Sequence, residues 1–235
     1  MRPTLPTCSQ KPMQTSSKAL AAGAFGARGT GKTAWLCQLI ESMRPGRLLM
    51  WDFKDDPAIE HLGQPVHSLP DLARKADRET FKLRYVVDHK GDFKEQFEAF
   101  CEICLTAGNL VMYVAELPEV TAANKAPKAW RRCVNVGRLY RDRNTGEQKT
   151  LTIMADGQRT AECDKSFLNN LDITHSGRQN NLDDAQLLAK TMGVDYRDLM
   201  ALPDLHWIEK RADSQQATRG VLTFAKKVAK KPAGK

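Results

Sequence analysis

The chain has 235 residues, 41% hydrophobic, 27% charged and 7% aromatic, a composition that excludes a disordered, collagenous or disulfide-scaffold protein and fits one globular domain. Lys and Arg outnumber Asp and Glu by 36 to 28, and the whole surplus of +8 sits at the two ends, on Arg2, Lys11 and Lys18 and on Lys226, Lys227, Lys230, Lys231 and Lys235. We therefore expect a flexible basic arm over 1–18, a formally neutral folded domain over 19–225, and a disordered Lys-rich tail over 226–235, free to gather DNA or an anionic membrane surface.

An apolar run over 19–25 predicts a first strand, followed by a Gly-rich turn and an amphipathic helix over 32–43. Residues 48–51 read as a buried strand ending at Asp52. After a loop rich in Pro, Gly and Asp, 83–87 form the next strand and 93–106 a helix. Residues 110–115 are the strongest strand of the chain. A basic helix over 128–141 leads through a turn at Asn144, Thr145 and Gly146 into a strand over 150–155. The last third predicts a short strand over 172–175, helices over 182–192 and 196–202, and strands at 206–208 and 220–224. Strands separated by helices imply an α/β fold with a mainly parallel sheet flanked by helices, closed at its C-terminal edge by antiparallel strands.

The run over 19–25 is far shorter than the roughly 20 residues of a membrane span, and the opening residues lack the apolar core of a secretory signal. Six scattered cysteines, Cys8, Cys37, Cys101, Cys104, Cys133 and Cys163, suit a reducing cytosol. Cys101 and Cys104 have metal-site spacing but no second pair, and they continue the helical stripe of Phe93, Phe97 and Phe100, so we read them as core residues. Trp51, Trp207 and His175 are read as structural, and Asp52 and Asp88 as strand-end caps of turns.

Gly26, Ala27, Arg28, Gly29, Thr30, Gly31, Lys32 and Thr33 satisfy G-x-x-x-x-G-K-[ST] in full, between a predicted strand and a predicted helix. Glycines let the backbone N–H groups turn inward at a helix N-terminus, where the dipole favours anions. Lys32 is expected to reach the β- and γ-phosphates of ATP, and the Thr33 hydroxyl to ligate Mg2+.

The strand over 110–115 stops at Glu116. Hydrolases with an additional strand beside the P-loop strand place an acid there to polarise water, usually just after an Asp that holds Mg2+. Here Ala115 precedes it, so Glu116 is the expected base, touching the metal through water if at all. Glu119, beyond a proline, is the second choice. The neutral amide of Gln158, past the next strand, suits a reader of the γ-phosphate. Between Lys125 and Lys149 eight basic residues face two acids. An arginine from this segment is a candidate to enter a neighbouring subunit's site; a solvated or DNA-facing surface is the alternative.

The P-loop GARGTGKT, the strand ending in VAELPE, the basic segment with Gly137 and Arg138, and the strand running into Gln158 and Arg159 together resemble the HerA/FtsK superfamily of DNA-pumping P-loop ATPases. The compactness of the chain suits the superfamily's viral members, which package genomes in tailless, membrane-containing viruses with double-jelly-roll capsids and are close to bare motors. The resemblance covers 19–224. It implies a RecA-like, additional-strand P-loop NTPase fold, ATP and Mg2+ as cofactors, Lys32, Glu116 and Gln158 in catalysis, and Arg138 or Arg141 acting in trans. It also implies a hexameric or pentameric homo-oligomeric ring threading double-stranded DNA by salt-sensitive, sequence-independent phosphate contacts, with partners at a capsid vertex or in a membrane. The location implied is the host cytoplasm or the packaging vertex of a virion.

Two departures stand out. Ala115 occupies the metal-side Asp position, and the long polar stretch after Arg138 leaves Arg138, Arg141 and Arg143 all open as the residue acting in trans. A filamentous-phage assembly ATPase of the zonular-occludens-toxin-like group and a nucleotide-dependent switch on DNA or membrane that does not pump remain the other readings.

Overall fold

The computed structural model describes residues 19–143 and 145–224; the basic arm over 1–18 and the tail over 226–235 lie outside the described residues. Strand β1 (Ala21–Phe25) leads into helix α1 (Lys32–Met43) and strand β2 (Arg47–Asp52). The stretch expected to be loop contains a 3-10 turn (Pro57–Leu62), strand β3 (Gln64–Val66) and helix α2 (Leu69–Ala76), followed by β4 (Phe81–Val86) and α3 (Phe93–Ala107). Next come β5 (Leu110–Val114), the short α4 (Leu117–Val120), α5 (Lys128–Val136), a small hairpin of β6 (Tyr140–Arg141) and β7 (Gln148–Lys149), and β8 (Leu151–Gly157). A second 3-10 turn (Thr160–Glu162), α6 (Lys165–Asn169), β9 (Ile173–Ser176), α7 (Leu182–Met192), α8 (Tyr196–Met200), β10 (His206–Arg211) and β11 (Thr218–Val221) complete the order.

Two local expectations are corrected. Helix α2 exists because Ser68 caps it, its side chain accepting from the Asp71 amide, with Pro70 in the first turn and Leu72 and Ala76 buried. The basic helix stops at Val136 instead of running to 141: the Gly137 amide closes on the Cys133 carbonyl, and Tyr140 and Arg141 then pair with Lys149 and Gln148.

Nine strands form one sheet in the order β11-β10-β9-β1-β8-β5-β2-β4-β3. From β9 to β3 every neighbouring pair is parallel, and β10 runs antiparallel to both β9 and β11. The mainly parallel sheet with an antiparallel edge is therefore present, and β8 is the additional strand, lying between β1 and β5.

Side chains alternate across the sheet. Leu48 and Met50 face α1, packing with Leu36 and Ile40. Leu49 and Trp51 face the opposite layer, where Trp51 meets Phe97 at 5.0 Å and Phe100 at 5.6 Å, and Trp130 of α5 closes on Phe97. Burying each such ring stabilises by roughly 1.5–3 kcal/mol. Cys101, Cys104 and Cys133 are fully buried in this layer, and burial pushes the thiols of Cys101 and Cys104 well up, which suits core residues. Among the described residues no helix is long and apolar enough to cross a membrane. Parallel strands bring the carboxyl ends of β1, β8, β5 and β2 to one edge, the place where open α/β sheets form their crevices.

Candidate functional site

Gly26, Gly29 and Gly31 have φ of 148°, 81° and 90°, values in the half of backbone space that glycine enters without steric penalty. The loop they form is braced from β9. The Ala27 amide donates to the Arg178 carbonyl at 2.8 Å, and Gly177 lies so close that a Cβ on it would stand 2.6 Å from Thr30 Cβ. Helix α1 begins with no side-chain cap and no acid in its first turn, so its leading N–H groups stay open to an anion.

Lys32 is 8% exposed and its ammonium donates to the Ala27 carbonyl at 3.0 Å. Burial lowers its pKa, opposed by the carboxylates of Asp156 and Glu116.

Asp156, near the end of β8 and opposite Ala24 of β1, is the residue that sequence reasoning passed over. It is 4% exposed. Its Oδ1 accepts from the Glu116 amide at 2.8 Å, and its Oδ2 from the Tyr113 hydroxyl at 3.1 Å and the Thr33 hydroxyl at 3.4 Å. Burial raises its pKa to about 6, against the Glu116 amide bond, which lowers it. The signal lay in the alternation: Asp156 is in phase with Met154, which packs on the α1 face, so a strand buried on both faces delivers a carboxylate beneath the P-loop helix.

Glu116 directly follows β5 and Ala115 with φ 55° and ψ 55°, a left-handed conformation that a non-glycine residue holds only when its surroundings impose it. Its Oε1 accepts from Lys54 Nζ at 2.5 Å and Gln158 Nε2 at 3.2 Å, so the ends of β2, β5 and β8 meet in one cluster. Lys54 was not among the sequence candidates. Its loop is set by Asp52, fully buried, which accepts from the Lys54 and Asp56 amides and from Arg84 of β4. Asp52 and Asp88 are thus turn caps, Asp88 accepting from the Lys90 amide. Glu119 is exposed on α4.

Neither Arg138 nor Arg141 reaches its own P-loop. Arg138 lies at the opposite edge of the sheet, donating to the Asn170 carbonyl and to Asp172, whose Oδ2 also accepts from the Ala21 amide at the start of β1. Arg141 is exposed on β6 and makes no ion pair with another described residue. His175 is buried, stacked on Trp35 of α1 at 4.2 Å and 3.7 Å from Glu209.

The site combines an open helix N-terminus, an ammonium, a hydroxyl, a buried carboxylate, a second carboxylate and a neutral amide. That set can bind a phosphate chain and hold a water against its end. Among the described residues no three His, Cys, Asp or Glu side chains converge as a metal cage, so a cation bound here would need phosphate and water for most of its ligands, as Mg2+ commonly does.

No protein-family model matches the chain, and no curated protein sequence matches it. Solved structures do. The genome packaging NTPase B204 from Sulfolobus turreted icosahedral virus 2, in complex with AMP, aligns with a TM-score of 0.66 at 13% identity, over 88% of this chain and 98% of that one. VirB4 of Thermoanaerobacter pseudethanolicus aligns with a TM-score of 0.60 at 9% identity, over 88% and 90% of the two chains. The bacterial conjugative coupling protein TrwBdeltaN70 aligns with a TM-score of 0.57 at 10% identity, over 86% and 84%. Structures of B204 also exist with ATP-gammaS and with AMPPCP. At these identities the likeness establishes the fold, and that fold is the P-loop NTPase architecture expected from the sequence.

Proposed function

We propose that this chain is an ATP-hydrolysing motor of the genome-packaging type, which moves double-stranded DNA through a ring of its own copies into a preformed capsid. The observation that carries the proposal is the convergence of the P-loop, Glu116 and Gln158 at the ends of β1, β5 and β8. It is supported by the match to a packaging NTPase over 98% of that chain, with little of either left over.

In this reading the P-loop amides and Lys32 bind the β- and γ-phosphates of ATP. Thr33 would hold Mg2+, with Glu116 reaching it only through water. When bound, the metal neutralises charge growing on the phosphate oxygens. Glu116 takes a proton from the attacking water as its oxygen bonds to the γ-phosphorus, and the bond to the β-phosphate oxygen breaks to release ADP. Gln158, already hydrogen-bonded to Glu116, orients that water. For this to happen Lys54 has to release Glu116. An arginine of the next subunit steadies the transition state. Arg141, exposed and without an ion pair among the described residues, is the first candidate; Arg138, held by Asp172, is the second.

The test is phosphate release with and without duplex DNA, beside a mass measurement with nucleotide present. A ring whose hydrolysis rises with DNA is expected; a DNA-indifferent monomer that phosphorylates a small acceptor sinks the proposal. Mixing Arg141→Ala with Lys32→Ala subunits should restore hydrolysis by complementation.

A nucleotide-dependent switch that assembles on DNA or a membrane without pumping is favoured by one observation, the pairing of Glu116 with Lys54 after Ala115. Displacement of a third strand from a DNA triplex during ATP turnover separates motor from switch.

A further inference from the structure

We infer that Asp156 is the acidic ligand of the divalent cation in this site, in the role that Ala115 leaves empty. The inference rests on the reading of the site as one for ATP and Mg2+.

Three observations support it. Asp156 Oδ2 lies 3.4 Å from the hydroxyl of Thr33, so the two oxygens share one corner of the site. The carboxylate is buried and receives two hydroxyls and one amide; the Lys32 ammonium acts on it through space but bonds to the Ala27 carbonyl, so no cationic side chain is hydrogen-bonded to it. A buried carboxylate with no cation in direct contact is costly, and a metal ion supplies that contact.

The third observation is register. Val114 of β5 pairs with Ala155 of β8, which brings the next residues, Ala115 and Asp156, side by side. Ala115 packs with the cluster on the α1 face, and Asp156 bonds to Tyr113 and Thr33 on that same face. A carboxylate is therefore present at the expected level, moved one strand, about 4.8 Å, toward the P-loop. Mg2+ commonly takes one or two carboxylates together with phosphates and water, and Asp156 with Thr33 provides the protein share, directly or through a metal-bound water.

The full-length protein can be tested with Mn2+ as the probe, read by its electron paramagnetic resonance signal in the presence of a non-hydrolysable ATP analogue. Asp156→Asn should weaken Mn2+ binding at least about tenfold, the usual loss when a metal site is disturbed. Analogue binding in EDTA should persist or tighten, because a negative charge beneath the phosphates is gone. The exchange Ala115→Asp with Asp156→Ala should recover most of the Mn2+ affinity. Unchanged Mn2+ affinity in a folded, analogue-bound Asp156→Asn variant overturns the inference while leaving the nucleotide site intact. Failure of the wild-type protein to bind the analogue at all overturns both readings. A measurement on the wild type avoids any folding defect of the variants: Fe2+ in the cation site, with ascorbate and peroxide, should cut the backbone within residues 155–157, and no cut there overturns the assignment.

Discussion

Along the N-terminal edge of the sheet, Arg47 donates to the carbonyls of Arg78 and Ala107, Lys149 to that of Thr106 and to Asp142, and Arg138 to that of Asn170 and to Asp172. These carbonyls end α3 and α6 or follow α2, so the cations cap helix C-termini, where the dipole favours positive charge. Along the C-terminal edge the pattern reverses. The Lys32 ammonium hydrogen-bonds only to a carbonyl of its own loop, no cationic side chain is hydrogen-bonded to Asp156, and the uncapped start of α1 offers bare N–H groups. The difference teaches that helix polarity sorts charge by task. One edge closes its charges within the fold; the other, outside the Lys54–Glu116 and Arg84–Asp52 pairs, holds those around the P-loop ready for a ligand. Arg132, Arg138 and Lys149 all make internal ion pairs, so much of the basic excess over 125–149 is structural.

The largest effect expected from this contrast is at the ligand edge. Glu116→Gln should cut phosphate release at least about 10²-fold, in the range of a lost general base, and Lys32→Ala should do as much, both with thermal midpoints near wild type. The N-terminal edge should respond the other way. Lys149→Met removes the ammonium donor of the Thr106 carbonyl and the ion pair with Asp142 and should cost about 1–3 kcal/mol in urea unfolding, with hydrolysis per folded molecule unchanged; lost hydrolysis at full stability would invert the comparison.

Between the edges, burial holds His175 below the ordinary imidazole value of 6.5, against the pull of Glu209. Burial raises Glu209, but His175 and Arg211 outweigh it and keep the carboxyl low. As pH falls below about 6.5 the unfolded chain binds a proton that the folded His175 refuses, and Glu209 adds to the loss further down. The His175 contribution therefore lowers the thermal midpoint from pH 7 toward pH 5, against the opposite contribution of Asp156, whose raised pKa favours the folded state as pH falls through about 6, and His175→Gln should remove the His175 part. The smallest effect is at Lys54, half exposed in its pair with Glu116. Such pairs are worth up to about 1 kcal/mol, so Lys54→Ala should raise basal hydrolysis by no more than about fivefold.

What the sequence made legible was whatever has a local signature. The P-loop is a contiguous string, the strand ends at Glu116 and Gln158 are marked by the change from apolar run to polar turn, and α1 and α7 begin and end at the positions that their spacing predicts. Helix α2 was missed because Pro65, Pro70 and Gly63 read as loop, although Ser68 and Asp71 carried a capping signal. The basic helix was drawn too long because Gly137 was not weighed as its end. Alternation along β8 gives the face of Asp156, but its role and that of Lys54 come from strand order, which puts β8 beside β1 and β2 beside β5, and strand order is a long-range property.

The C-terminal segment carries one more consequence. Leu222 fills the space that a side chain at Gly31 would need, its Cδ2 2.7 Å from that Cβ position, and the Thr223 carbonyl accepts from Gln38 on α1. The Leu222 amide also donates to the Leu205 carbonyl, so the segment after β11 ties the antiparallel edge of the sheet to the helix that carries the phosphate loop, and a displacement of either would be felt by the other.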